Sequence, residues 1–112
     1  MSGIIIFQSA AAGDVIMFAD VAKRLMETMG KAPEGKGILT VEQLPEAIVR
    51  LKAAIVEDKA RRAGMQDEDL PQNEPTSDGG KRAFVSLAQR ATPLLELLEW
   101  ALKKQRPVVW GV

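Results

Sequence analysis

Two stretches carry residue types that could handle a phosphate. The octet GKAPEGKG, Gly30 to Gly37, reads G-x-x-x-x-G-K-G, one residue short of the phosphate-binding loop G-x-x-x-x-G-K-[ST]. Such a loop works by following a strand and opening a helix, so that backbone N–H groups and the positive helix end face the anion together. Here the order is reversed, because the octet follows an amphipathic stretch and precedes an apolar run. Gly37 stands where a hydroxyl would hold magnesium, and Pro33 removes one N–H donor from the cradle. The octet therefore reads as a helix stop followed by a turn. The second stretch, Ser9 to Asp14, is expected to lead from a strand into a helix N-terminus, the right context for an anion. Asp14 puts a carboxylate where that anion would sit, so it reads as an N-cap.

Acid–base and metal chemistry have few carriers. The chain has no Cys, His or Tyr, which rules out thiolate chemistry, a Ser-His-Asp triad and His- or Cys-based metal sites built from this chain alone. Proton transfer would fall on carboxylates or lysines. The candidates are Asp14, Asp20, Glu96 and Glu99. The last two lie three residues apart and share a helix face, which reads as a solvated face. We expect no enzymatic activity, no cofactor and no metal.

Fifteen basic residues cancel fifteen acidic ones, a balance unlike that of a protein that neutralises nucleic-acid phosphates. The alternating run EDKARR (Glu57 to Arg62) reads as an exposed helix end. Nucleic acid is not an expected partner. The apolar run Ile4 to Phe7 is too short for a signal peptide and no stretch approaches a membrane helix, so the expected location is cytoplasmic, without membrane contact.

The elements that must position these residues follow from periodicity. Gly3 to Ser9 (GIIIFQS) reads as a buried strand. From Val15 to Met29, Phe18, Val21, Ala22, Leu25 and Met29 recur at spacings of three and four, predicting an amphipathic helix closed by Gly30. Gly37 to Thr40 allows at most a short middle strand. An irregular turn over Thr40 to Leu44 precedes a helix from Pro45 to about Ala63, with Ile48, Leu51 and Ile55 on its apolar stripe. Residues 64 to 80 lose all periodicity and carry five carboxylates without a Lys or Arg, which predicts a flexible acidic linker. Ser86 and Gln89 match a capping box, and Leu87, Ala91, Leu94, Leu98 and Ala101 keep one phase through Pro93, predicting a single kinked helix. Pro107 to Val112 is a second β-rich run.

The whole is one domain over 1–112 of class α+β. It is a small two-layer domain with three helices packed on a small sheet, in which the N-terminal strand Ile4–Gln8 pairs with the C-terminal strand Val108–Trp110.

These landmarks also resemble a known family. FQSAAAGDVIMFADVAKRLMETMG, GILTVEQLPEAIVRLKAAI, the acidic linker, VSLAQRATPLLELLEWA and a closing PVVW are similar to a family of short bacterial proteins of unknown function, over nearly the whole chain. The resemblance implies a stand-alone cytoplasmic protein of about this length, and carries over no activity or binding residues.

The expected function is a non-enzymatic protein–protein interaction module. It would self-associate as a homo-oligomer, through a sheet edge or the methionine-bearing first helix. Candidate interface residues are Met17, Met26, Met29, Trp100 and Trp110, against the plainer reading of each as core. The alternative is a small-molecule binding protein with a pocket between the sheet and the third helix.

Overall fold

The structure, a computed structural model, describes residues 3–63, 71–76 and 79–111. Its elements in chain order are β1 (Ile4–Ser9), β2 (Ala12–Phe18), α1 (Ala19–Thr28), β3 (Gly37–Leu39), a 3-10 turn (Val41–Gln43), α2 (Leu44–Arg62), β4 (Asn73–Pro75), β5 (Lys81–Ala83), α3 (Leu87–Lys104) and β6 (Val108–Trp110). The main sheet has the order β2-β1-β6-β3, antiparallel throughout, and β4 and β5 form a separate hairpin. This is the expected α+β class, and the termini pair as expected through Phe7 with Trp110 and Gln8 with Val109.

The largest departure is β2. Val15 to Phe18 belong to a strand, and α1 starts only at Ala19. Two four-residue apolar runs, Ile4–Phe7 and Val15–Phe18, flank the Ser9–Gly13 segment and pair rung by rung, Ile4 with Phe18 and Phe7 with Val15. A β-branched and aromatic run beside an existing strand gains a full ladder of backbone bonds, which a helix start would forgo. The turn is tightened by the Ala11 N–H, which donates to Ser9 Oγ at 3.2 Å. Asp14 is therefore an exposed strand residue and not an N-cap. The Ala19 N–H at the start of α1 instead donates to the Gly3 carbonyl at 2.8 Å.

The octet behaves as a stop and a turn. Gly30 takes φ +85, and the Lys31 N–H reaches back to the Met26 carbonyl at 2.8 Å, closing α1. The loop then crosses Trp110, whose Nε1 donates to the Glu34 carbonyl at 3.1 Å. Strand β3 follows, so the octet does not open a helix. Gly37 lies under the Trp110 ring, where an added Cβ would come within 2.5 Å of a ring carbon.

All three helices cover one face of the main sheet. Phe7 and Trp110 anchor that face, with ring centroids 5.4 Å apart, against Leu25, Leu51, Leu94 and Leu98. Helix α3 runs unbroken through Pro93, and its capping box forms as expected, with the Gln89 N–H on Ser86 Oγ and the Ser86 N–H on Gln89 Oε1. A second cap comes from α2. Buried Asp58 accepts the Ala88 N–H at 3.1 Å and is held by Arg62 Nε at 3.2 Å. The acidic stretch at 64–80 departs from a plain tether, because Asn73–Pro75 pairs with Lys81–Ala83. Residues 64–70, 77 and 78 lie outside the described residues.

Two substitutions test this packing. Asp58→Ala strands the Ala88 N–H and is expected to cost about 1–3 kcal/mol in urea unfolding, with Asp58→Asn losing less because it keeps an acceptor. Gly37→Ala forces a methyl into the Trp110 ring and is expected to cost a similar ~1–3 kcal/mol by overpacking.

Candidate functional site

Strand alternation sends one set of side chains to the helices and the other to the opposite face. On the helix side lie Ile5, Phe7, Met17, Leu39, Val108 and Trp110, all buried. On the other side the register aligns Ile4 with Phe18, Ile6 with Ile16, and Gln8 with Val109 and Ile38. No helix packs across this face, which is open except where arginines stack on Phe18: Ile4 is 59 % exposed, Ile16 62 %, Phe18 44 % and Ile38 43 %. Its only charged position within a strand is Asp14, at the start of β2. Six apolar side chains thus share one face, with polar Gln8 and Asp14 beside them.

Phe18 ties this face to a charged cluster. The Arg82 guanidinium stacks over the Phe18 ring at 4.4 Å, with that of Arg90 at 5.7 Å. Arg82 forks onto Asp20, Nη1 to Oδ1 at 3.2 Å and Nη2 to Oδ2 at 3.0 Å, and its Nη2 also reaches Glu74 Oε2 at 3.0 Å. Glu74 Oε1 accepts from Arg90 Nη2 at 2.9 Å and from the Val85 N–H at 3.0 Å. Buried Nε atoms of Arg82 and Arg90 have no protein acceptor among the described residues. The cluster clamps the β4–β5 hairpin between α1 and α3. Burial pushes the Glu74 carboxyl upward, but the Val85 N–H, Arg90 and Arg82 outweigh it and hold the group below its ordinary value of 4.5. The Asp20 hydrogen bond, against an opposing push from burial, raises Arg82 above its ordinary value.

The five candidate interface residues separate sharply. Met17 on β2, Met26 and Met29 at α1, and Trp110 on β6 are buried in the core. Trp100 on α3 is 46 % exposed, with Lys103 and Lys104 Nζ over its ring at 5.0 and 5.4 Å. The four carboxylates do not gather into one site. Asp14 stands on β2, Asp20 is held by Arg82, and Glu99 pairs with Lys52 at 3.2 Å. Glu96 lines a shallow hollow with Glu99, Trp100 and Lys103. The Glu57–Arg62 run pairs internally, Arg61 with Glu57 and Asp58, and Arg62 with Asp58.

The model of a domain of unknown function, DUF1840, matches residues 3–110. The chain belongs to the DUF1840 family. No curated protein and no solved structure matches the sequence. No helix among the described residues is long and apolar enough to cross a membrane.

In this DUF1840 chain the residues that sequence reasoning missed are Ile4, Ile6, Ile16, Phe18, Ile38 and Val109, together with the Arg82–Glu74 clamp. A signal for the first group was present. The run Ile4–Phe7 is apolar at every position, so a strand there must be apolar on both faces, and both faces then need cover.

The clamp carries its own test. A carboxylate whose folded value is depressed stabilises the folded form above 4.5, and that contribution is lost as pH falls below it. Followed by NMR, the amides of Asn73, Glu74, Lys81, Arg82, Ala83 and Val85 are expected to shift together on acidification while the core amides hold. Glu74→Gln should show the detached hairpin already at pH 7 and no acid step. A step that survives in Glu74→Gln assigns it to another group.

Proposed function

We propose that the protein is a non-enzymatic, cytoplasmic interaction module whose partner is a second copy of itself. The observation that supports this reading is the uncovered apolar face of the main sheet. Four large apolar side chains, each 43–62 % exposed, share one face with Ile6 and Val109. A patch of this composition on a small domain is removed from water most simply by an identical patch across a two-fold axis. The sheet edges assist, because β2, the longest strand, lies at an edge with one acidic residue and no lysine or proline to blunt pairing.

Light scattering tests the proposal. The wild-type chain is expected at twice its 12.2 kDa mass, and Ile16→Asp at the monomer mass, with an apparent Kd raised more than about tenfold by the buried unpaired charge. Val56→Asp supplies the control, since Val56 on α2 is 66 % exposed but lies off the sheet. A wild-type chain that stays monomeric at every concentration contradicts the reading.

A second reading is supported by a groove of about 340 Å³ between β2 and α3, walled by Val85, Arg90 and Pro93 and sharing Ile4, Ile16 and Phe18 with the open face. That volume lies within the range of small-molecule sites. Thermal-shift screening of metabolites is expected to stabilise the protein if this groove is the site. A screen without any shift, on a chain that dimerises, leaves the first reading standing.

A further inference from the structure

The groove between β2 and α3 runs along an edge of the main sheet, so it reaches both of that sheet's faces. Strand β2 is outermost, and alternate residues of a strand point to opposite sides. The groove touches both sets, Met17 from the helix side and Ile16 and Phe18 from the open side. Across from them stand Gln89, Arg90 and Pro93 of α3. At about 340 Å³ it belongs to the small end of ligand sites, which run from roughly 300 to 1,000 Å³.

The polar side chains of this groove all come from α3, and they have donors to spare. Among the described residues Arg90 is the one charged side chain in the lining, which holds no carboxylate. Arg90 commits Nη2 to Glu74 at 2.9 Å, and neither its Nη1 nor its buried Nε has an acceptor among the described residues. A guanidinium has more N–H groups than Glu74 uses, so Arg90 can serve a second acceptor as well. Glu74 itself lies outside the lining, already held by Arg82, Arg90 and the Val85 N–H. Gln89 is divided in the same sense. Its Oε1 accepts the Ser86 N–H at 3.3 Å and the Ser86 hydroxyl at 3.1 Å, while its Nε2 has no acceptor among the described residues. Capping α3 thus occupies the side-chain acceptor at this end and leaves donors.

Resting on the reading of this groove as a small-molecule site, we propose that its ligand is a small amphipathic carboxylate. The apolar body lies along Ile16, Met17 and Phe18, and the carboxylate accepts from Arg90 Nη1 and Gln89 Nε2. An ionised carboxylate only accepts hydrogen bonds, which matches side chains that only have donors left. Its bonds to a guanidinium are of the stronger, charge-assisted kind. A cationic head would meet donors with its own donors. A wholly apolar ligand would cover both α3 donors without pairing them, which costs binding energy. Charge and hydrogen-bond sense therefore select the head, and the apolar wall of β2 selects the body.

NMR titration of the isotope-labelled chain at neutral pH, with octanoate and separately with 1-octanol, tests this. Octanoate is expected to shift the amides of Ile16, Phe18, Gln89 and Arg90 saturably, and to bind roughly tenfold more tightly than the alcohol. In Arg90→Gln that preference is expected to vanish while 1-octanol binds as before, which shows that the groove still forms. Arg82 goes on linking Glu74 to Asp20 in that variant. Equal affinity for the two probes in the wild type overturns the carboxylate assignment, as does a preference that survives Arg90→Gln. Loss of both probes in Arg90→Gln gives Arg90 a structural role only and overturns it too. Saturable shifts confined to another surface overturn the site. If neither probe binds but a metabolite stabilises the chain in the thermal-shift screen, the carboxylate class falls and the groove remains a small-molecule site. If the screen is also blank, both fall together.

Discussion

The main sheet has two apolar faces and the described residues supply helices for only one. Strand β1 sets this condition. Its residues Ile4 to Phe7 are all apolar, and its neighbours repeat the pattern with Ile16 to Phe18 on one side and Val108 to Trp110 on the other. The three helices bring their stripes to the Phe7–Trp110 side, where nearly every large side chain is sealed. Apolar burial is the dominant favourable term of folding, and the same term acts on whatever apolar face is left over. In the proposed dimer, folding and association are driven by opposite sides of one sheet.

The loops are subordinate to that arrangement. The Gly30–Gly37 octet resembles a phosphate loop in composition, yet it serves to stop α1, cross Trp110 and deliver Gly37 beneath the indole. Asp58, a carboxylate on the apolar stripe of α2, is there to cap α3. The Arg82, Glu74, Asp20 and Arg90 side chains close the far end, clamping a hairpin that has little apolar surface of its own. Charges bind that hairpin where burial cannot. Because Phe18 touches both the clamp and the open face, the hairpin also fixes one corner of that face.

Much of this was legible in the sequence. Helices α2 and α3 announce themselves by stripes of constant phase and by the Ser86–Gln89 box, and the pairing of the terminal strands follows from the need to satisfy their backbones. Two things were not legible from local pattern. The segment Val15–Phe18 fits a helical stripe through Phe18 and a strand through its β-branched run, and only the presence of β1 as a partner decides for the strand. The 73–83 hairpin depends on its Arg82 meeting Asp20 of α1 and its Glu74 meeting Arg90 of α3, contacts with no periodic signature. The methionines misled for a related reason. Met17 turns inward because Val15–Phe18 is a strand, whereas Met26 follows buried Ala22 by four residues and lies on an inner face of α1 wider than the strict stripe.

The central claim is that water leaves the outer sheet face when two copies meet. Calorimetric dilution at several temperatures measures this most directly, since burial of apolar surface on association has a negative heat-capacity change. A concentrated solution diluted into buffer is expected to give a dissociation heat that saturates with concentration and becomes more endothermic as temperature rises, and Ile16→Asp is expected to give none. A wild-type chain without any heat of dissociation, or one whose dissociation heat does not vary with temperature, would contradict the account.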